Sequence, residues 1–233
     1  MSREIDVSEF KRVVFFTGAG MSAESGVPTY RGSGGIWAQY RFEDYACQDA
    51  FERNPEGVWD FHDDRRSKVG QCQPHSGYES IAQFERQFPE TSVVTQNIDG
   101  LHYRAGSSQV YELHGSLWRV RCDDCGEVMD NHESPIQNRK HSCGAYLRPD
   151  IVWFGDSLSA DVVSRALNAI RRCDVLISIG TSAVVMPAAG FPLEAKRAGA
   201  MTIEINPEPT ALSDVYDRVI RRPASEALSD ILG

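Results

Sequence analysis

The stretch that decides the fold runs from Val13 to Arg31 and reads V-V-F-F-T-G-A-G-M-S-A-E-S-G-V-P-T-Y-R. Its first residues, 13–16, form a short apolar run of the kind found in buried strands. Gly18-Ala19-Gly20 follows, and the small polar residues after it can begin a helix. Glycines let backbone N–H groups approach a phosphate, and a helix N-terminus favours negative charge. The stretch predicts either a phosphate-binding turn or an ordinary strand-to-helix turn, since one Gly-x-Gly does not separate the two.

Further apolar runs occur along the chain, and each ends in glycine or polar residues. The runs are 92–95, 110–113, 175–179 and 201–205, and they end at Gln96, His114, Gly180 and Asn206. Helices are predicted from Pro74 onward and from Ala189 to Ala198, where Gly199 is the stop signal. Short apolar strands that alternate with helices predict an α/β fold with a parallel sheet covered on both faces. Ligands bind at the carboxyl ends of such strands, so these ends together predict a nucleotide site.

Composition and charge limit the possible functions. The chain has 233 residues, 41% of them hydrophobic and 24% charged, which is typical of a globular protein. Its formal net charge of −9 argues against general binding to nucleic acid or to anionic membranes, and suits a cationic partner such as a lysine-bearing protein. Neither a membrane span nor the apolar centre of a signal peptide is present, which predicts a cytoplasmic protein with reduced cysteines.

Two segments depart from the strand-and-helix alternation. Residues 40–73 carry aromatic and charged side chains at helical spacing, which predicts a small helical insert.

Cys122 and Cys125 form a Cys-x-x-Cys pair, and Cys143 follows 18 positions after Cys125, with His141 two residues before it. Such paired ligands predict a structural zinc ribbon. A redox pair or chance spacing are the alternatives, although a redox pair normally opens a helix in a strand–helix unit.

Taken together, these motifs resemble those of the sirtuins, which are NAD-dependent protein-lysine deacylases. The resemblance spans nearly the whole chain in the order of the family. It rests on G-A-G-M-S-A-E-S-G-V-P-T-Y-R, on Q-N-I-D at 96–99, on H-G at 114–115, on the cysteine pair, on L-R-P-D-I-V-W-F-G at 147–155, on G-T-S at 180–182 and on I-N-P-E at 205–208.

The resemblance implies a Rossmann-type NAD-binding domain and a smaller domain, with NAD and the acyl-lysine bound between them. The large domain would comprise 1–39, 74–117 and 150–233, and the small domain the helical insert 40–73 and the zinc ribbon 118–149. A monomer is expected. The implied NAD-binding residues are Gly18, Ala19, Gly20, Ser22, Tyr30, Arg31, Trp37, Gln96, Ile98, Gly180, Thr181, Ser182, Asn206, Pro207, Glu208 and Ala224. Tyr30 departs mildly from the family, which more often has phenylalanine there.

The resemblance also implies the catalytic roles. Asn97 and Asp99 would hold the nicotinamide and its ribose, and His114 would be the general base that activates a ribose hydroxyl. The acyl oxygen would attack the anomeric carbon to give an alkylimidate, which collapses to lysine and an O-acyl-ADP-ribose. Val152, Trp153, Phe154 and Gly155 would pair with the backbone of the acylated substrate as an added strand.

Two alternatives to deacylation follow from the same residues. An ADP-ribosyltransferase would share the cleavage of the nicotinamide bond, and a nucleotide-binding regulatory module would lack chemistry. The presence of His114, Asn97 and Asp99 argues against the regulatory module. Only product analysis distinguishes deacylation from ADP-ribosyl transfer.

Two further positions differ from the pattern of the family. Three cysteines stand where the family usually has four, so we predict that His141 is the fourth zinc ligand, in preference to His132 in mid-loop. The bacterial and mitochondrial desuccinylase class has a Tyr-x-x-Arg pair on the insert, and this chain reads His62-Asp63-Asp64-Arg65. The pair is either a solvated charged face or a site where Arg65 binds the carboxylate of a succinyl or malonyl group. His62 would assist as a hydrogen-bond donor when neutral and as a second positive charge when protonated.

Overall fold

The computed structural model describes residues 5–30 and 34–232. Its strands are β1 (Val13–Thr17), β2 (Thr91–Thr95), β3 (Val110–Glu112), β4 (Gly115–Cys122), β5 (Val128–Asp130), β6 (Leu147–Ile151), β7 (Val175–Ile179), β8 (Met201–Ile205) and β9 (Arg218–Ile220). Its α-helices are α1 (Ile36–Gln39), α2 (Phe42–Tyr45), α3 (Gln48–Arg53), α4 (Pro55–Gln71), α5 (Ser76–Gln87), α6 (Leu101–Ala105), α7 (Ala160–Arg172), α8 (Phe191–Arg197) and α9 (Ala224–Leu232).

Six of the strands form one parallel sheet in the order β3-β2-β1-β7-β8-β9. β1 lies in the middle, paired in parallel register with β2 on one side and with β7 on the other. The strand order reverses between β1 and β7, and a crevice opens at the carboxyl ends of strands on either side of such a reversal. The predicted α/β fold with a Rossmann-type parallel sheet is therefore confirmed.

Helices cover both faces of this sheet because adjacent residues of a strand point to opposite faces. Phe15 packs edge-on against Phe84 of α5, with 6.0 Å between ring centroids. Its neighbour Phe16 faces the other way and contacts Phe191 of α8 at 6.1 Å. All five residues of β1 are buried, which explains its continuous apolar sequence.

The insert and the ribbon pack together beside the sheet. β4, β5 and β6 form a separate antiparallel sheet in the order β5-β4-β6. Trp59 of α4 is fully buried and donates a hydrogen bond to the Leu147 carbonyl of β6 over 2.6 Å. The helical insert therefore packs against the ribbon.

Several predicted boundaries differ from the structure. The helix expected after Gly18-Ala19-Gly20 is a 3₁₀ helix that already begins at Ala19, and the helix expected from Pro74 begins at Ser76 because His75 caps it. The helix expected from Ala189 is divided into a 3₁₀ turn, Ala188–Gly190, and α8. Within the described ranges, no helix combines the length and apolar character needed to cross a bilayer.

Candidate active site

A cavity of about 1040 Å³ lies between the carboxyl edge of the parallel sheet and the smaller antiparallel sheet with its helices. Most of the residues predicted to bind ligands line it. They are Gly18, Ala19, Gly20, Tyr30, Trp37, His62, Arg65, Gln96, Asn97, Ile98, His114, Val152, Trp153, Phe154, Gly155, Gly180, Thr181, Ser182, Asn206 and Glu208. The cavity wall does not include Ser22, Asp99, Pro207 or Ala224, and Arg31 lies outside the described residues.

The lining residues follow the strand order of the sheet. His114 comes after β3, Gln96 after β2, Gly18 after β1, Gly180 after β7 and Asn206 after β8. Neighbouring strands lie about 4.8 Å apart, so these five ends span roughly 19 Å. An extended dinucleotide can lie along such an edge, with His114 at one end and Asn206 towards the other.

The middle of this edge is formed by backbone because three glycines meet there. A Cβ on Gly18 would lie 2.8 Å from the Gly180 carbonyl oxygen, and a Cβ on Gly20 would lie 2.7 Å from the Gly180 Cα. A Cβ on Gly180, whose φ is +59°, would lie 2.2 Å from the backbone nitrogen of Met21. Real Cβ atoms are not found so close to backbone, so the close packing of the two turns requires glycine at all three positions.

His114 has the protonation state that a base requires. Its Nδ1 donates to the Gln96 carbonyl oxygen over 2.9 Å, because a carbonyl only accepts. Its Nε2 therefore carries a lone pair, and the residue lines the cavity. Burial lowers the pKa of His114 below its usual 6.5, although the bond to Gln96 opposes this shift. The imidazole is neutral at pH 7 and can accept a proton.

Ser22, Asn97 and Asp99 form a buried network beneath the glycine turn. Asn97 donates through Nδ2 to the Gly18 carbonyl over 2.9 Å and to the Ser22 hydroxyl over 3.0 Å. Ser22 donates to the Asp99 carboxylate over 2.6 Å, and burial raises the pKa of that carboxyl. Tyr78, which the sequence reasoning missed, contacts Ser22 at 2.7 Å. Asn97 lines the cavity. Ser22 and Asp99 do not line it, and they fix the position of the Asn97 side chain through the Ser22 hydroxyl.

A second buried group, also missed from the sequence, positions the loop that follows β8. Glu204 is almost fully buried and accepts hydrogen bonds from Thr210, from Ser213 and, over 2.7 Å, from Arg221. Arg221 also donates to the backbone carbonyls of Asn206 and Glu208. The available signal was a glutamate inside the apolar run M-T-I-E-I, since a buried carboxylate needs partners.

At the other end of the cavity, His62 differs from the prediction. It is fully buried, and its Nε2 donates to the Tyr45 carbonyl over 3.2 Å. Burial lowers the pKa of His62 to about 3, and the positive charge of Arg65 acts in the same direction. The predicted protonation of His62 near pH 6 is therefore wrong, because a charged imidazole is too costly at this buried position.

The segment 152–155 lines the cavity, but most of its backbone donors are already used. Val152 donates to the His114 carbonyl over 2.9 Å, Trp153 to the Asp156 carboxylate, and Phe154 to the Ala46 carbonyl. An added substrate strand would therefore pair with the carbonyls of this segment or with the N–H of Gly155. Phe154 is 40% exposed, which leaves an apolar surface at the mouth of the cavity.

The predicted metal ligands converge away from the cavity. The ligand atoms of Cys122, Cys125, His141 and Cys143 all lie within 4.8 Å of one another. The Sγ atoms of Cys122 and Cys143 are 3.5 Å apart, and His141 Nδ1 is 3.6 Å from Cys125 Sγ. These are close to the edges of about 3.5 to 3.8 Å that a tetrahedral zinc site with thiolate and imidazole ligands would have.

The second nitrogen of His141 supports the same interpretation. Its Nε2 lies 3.2 Å from the Glu127 carboxylate, an arrangement that fixes the ring with Nδ1 turned towards the sulfurs. His132 instead stacks on the Trp118 ring at 5.9 Å, outside the cluster. The residues present therefore fit a Cys₃His zinc ion.

Comparison with known proteins identifies the family. The Sir2 family model matches residues 18–187. The NAD-dependent protein deacylase of Aquifex aeolicus is 44% identical over 94% of this chain and 93% of its own length. A solved mutant Sir2 homologue–ADP ribose complex superimposes with a TM-score of 0.93 at 43% identity, over 97% of this chain and 92% of that one. A Sir2–p53 peptide–NAD+ complex has a TM-score of 0.83 at 30% identity, with 95% and 92% coverage. The chain belongs to the Sir2 family, the sirtuins.

Proposed function

We propose that the protein is an NAD-dependent protein-lysine deacylase that releases nicotinamide and an O-acyl-ADP-ribose. The observation that carries the proposal is the neutral His114, which has a lone pair on Nε2 and lines the same cavity as the glycine turns. The first half of this reaction needs a site that holds the pyrophosphate of NAD, and the second half needs a base. The proposal assigns both to one edge of the sheet. The curated relatives, named NAD-dependent protein deacylases, support it.

NAD is a substrate in this reaction, and the sheet edge supplies its contacts. The pyrophosphate lies against the backbone of Gly18–Gly20 and Gly180, because the three glycines place no side chain in its way. Asn206 and Glu208 receive the adenosine ribose. Their loop is held in place by Glu204 and Arg221. Asn97 and Ile98 border the nicotinamide end, beside His114.

His114 acts after the glycosidic bond to nicotinamide breaks. The acyl oxygen forms a bond to the anomeric carbon, and a ribose hydroxyl must then lose its proton to attack the imidate carbon. The Nε2 lone pair of His114 accepts that proton, while the bond from Nδ1 to the Gln96 carbonyl keeps the ring oriented and favours the imidazolium that forms. Asp99 acts through Ser22 and Asn97 as a positioning residue.

We further propose that the enzyme accepts acidic acyl groups, such as succinyl and malonyl, besides acetyl. Arg65 lines the cavity, and its side chain is 9% exposed. In the described part of the chain its hydrogen-bond partner is the neutral Tyr30 hydroxyl. A buried cation that faces a substrate cavity without a carboxylate partner favours an anionic ligand.

A structural zinc ion completes the proposal. Cys122, Cys125, His141 and Cys143 would hold it in the ribbon, and none of the four lines the substrate cavity. When bound, the ion would link β4 to the segment before β6 and so stabilise the antiparallel sheet.

The deciding experiment incubates the protein with NAD and matched peptides that carry acetyl-lysine, succinyl-lysine or unmodified lysine. Mass spectrometry should find free lysine, nicotinamide and O-acyl-ADP-ribose in equal amounts. Deacylation without NAD would overturn the proposal. ADP-ribose attached to the peptide, with the acyl group intact, would instead identify an ADP-ribosyltransferase.

A further inference from the structure

Arg65 differs sharply from the arginine that follows it in the sequence. Arg66 is fully buried, and its guanidinium donates to the backbone carbonyls of Leu117, Asn131 and Glu133, so most of its N–H groups are used. Arg65 donates through Nη2 to the Tyr30 hydroxyl over 2.7 Å, which is its hydrogen bond within residues 5–30 and 34–232. A guanidinium has five donors, so Arg65 keeps most of them for a ligand.

Tyr30 keeps a donor as well. Its oxygen accepts from Arg65, since arginine cannot accept, and so its own O–H is free to point elsewhere. In the described part of the chain that hydroxyl has no other hydrogen-bond partner. The Arg65 guanidinium lies over the Tyr30 ring at 4.9 Å and over the Phe61 ring at 5.9 Å, so stacking holds the cation while its edge remains open.

His62 cannot serve as the second donor. Its Nε2–H is used by the Tyr45 carbonyl, and its Nδ1, which has no hydrogen-bond partner among residues 5–30 and 34–232, carries a lone pair. A lone pair repels a carboxylate oxygen. The hydroxyl that belongs beside Arg65 therefore comes from Tyr30, which approaches from the loop after the first glycine turn rather than from the helix α4.

We infer that Tyr30 and Arg65 together bind the carboxylate of an acidic acyl group, and that the Tyr30 hydroxyl determines how strongly such groups are preferred over acetyl. This inference rests on the proposed deacylase activity and on its acceptance of acidic acyl groups. The carboxylate would receive one hydrogen bond from the phenol and one or two from the guanidinium. An acetyl group has no atom that can use these donors.

The test is Tyr30→Phe, which removes one hydroxyl and keeps the ring that stacks on Arg65. The readout is the ratio of kcat/KM for a succinyl-lysine peptide to kcat/KM for the same peptide with acetyl-lysine. Effects on NAD binding enter both reactions and cancel in this ratio. We expect the ratio to fall about 10-fold to 100-fold, the range for one hydrogen bond to a charged group. The loss should lie in KM, and calorimetry without NAD should show the same loss in the Kd of the succinylated peptide.

Two further variants define the outcomes. Tyr40→Phe removes a hydroxyl from the same aromatic cluster, since the Tyr40 ring packs edge-on against Phe61 at 5.2 Å and does not line the cavity. Its ratio should equal that of the wild type. Arg65→Met should abolish the preference for the acidic group. An unchanged ratio in Tyr30→Phe, with a collapsed ratio in Arg65→Met, overturns this inference and leaves the proposed function intact. A wild type that rejects succinyl-lysine overturns the acidic-acyl proposal and this inference together.

Discussion

His114 and Gln96 are joined by a hydrogen bond of 2.9 Å from the imidazole Nδ1 to the backbone carbonyl oxygen. The bond links the ends of β3 and β2, two adjacent strands of the parallel sheet. It fixes the tautomer of the histidine without a carboxylate, because the acceptor is part of the main chain. No side-chain substitution at position 96 can remove it directly.

The first prediction concerns this base. Because burial lowers the pKa of His114 below 6.5, and the neutral form is active, kcat/KM should stay constant from pH 8 down to below pH 6.5. It should then fall as the imidazole gains a proton. His114→Ala should lose activity by about 10²-fold to 10⁴-fold while calorimetry still detects NAD binding. An acidic limb centred above pH 7, or a fully active His114→Ala, would contradict the assignment.

The second prediction concerns the loop after β8. Arg221→Met removes the donor that links buried Glu204 to the carbonyls of Asn206 and Glu208. We expect kcat/KM for NAD to fall on the order of tenfold, since small displacements of binding groups are costly. Arg222→Met is the matched control, because Arg222 pairs with Asp230 at the surface. Equal effects of the two variants would show that the Glu204 network does not position the loop.

The third prediction concerns the metal. Elemental analysis of the purified protein should give close to one zinc per chain, and His141→Ala should fall below about half of that because a ligand is lost. His132→Ala, which changes a histidine stacked on Trp118, should keep its zinc. Stoichiometric zinc in His141→Ala, or its loss in His132→Ala alone, would assign the fourth ligand elsewhere.

The fourth prediction follows from the burial of His62. Its pKa is about 3 in the folded protein, against 6.5 for an exposed histidine. The folded protein therefore favours the neutral imidazole. The resulting contribution to the free energy of unfolding is fully present above about pH 6.5 and is lost as the pH falls towards 3. At pH 5 the loss is roughly 2 kcal/mol, from about 1.4 kcal/mol per pH unit. Urea unfolding at pH 7.5 and pH 5 should show a decrease larger by this amount in the wild type than in His62→Phe.

The fifth prediction separates His62 from the acyl preference. Because His62 remains neutral above about pH 4, the ratio of desuccinylation to deacetylation should be flat between pH 6 and pH 8. A ratio that rises several-fold on acidification would mean that His62 gains a proton when substrate is bound.

The positions of the buried strands along the chain were predictable because each contains a short run of mostly apolar residues. Val175–Ile179 and Met201–Ile205 were found to the residue. The exposed β9, with polar Arg218 at its start, gave no such signal and was missed. The 3₁₀ form of 19–25 was also missed, because close packing against Gly180 determines it and that contact joins segments far apart in sequence.

The site was predictable in its residue types and less so in its electrostatics. Motifs placed His114, Asn97 and Arg65 at the cavity. Whether His62 carries a charge depends on its burial. The sequence H-D-D-R does not indicate burial, because the neighbouring Asp63 and Asp64 suggest a solvent-exposed segment. Asp63 is itself buried and forms an ion pair with Arg139 of the ribbon. The helix face that the sequence suggests is solvated is therefore packed against the ribbon.

The meeting of Gly18, Gly20 and Gly180 has a consequence for engineering the cofactor preference. A Cβ at any of the three positions would clash with the backbone of the opposite turn. A single substitution is therefore not tolerated, and a second substitution at another of these positions cannot compensate for it. Libraries aimed at NAD analogues should therefore leave these positions fixed and sample Ser182 and Glu208 instead. Both of these residues line the same cavity, and neither is a glycine packed against the backbone of the opposite turn.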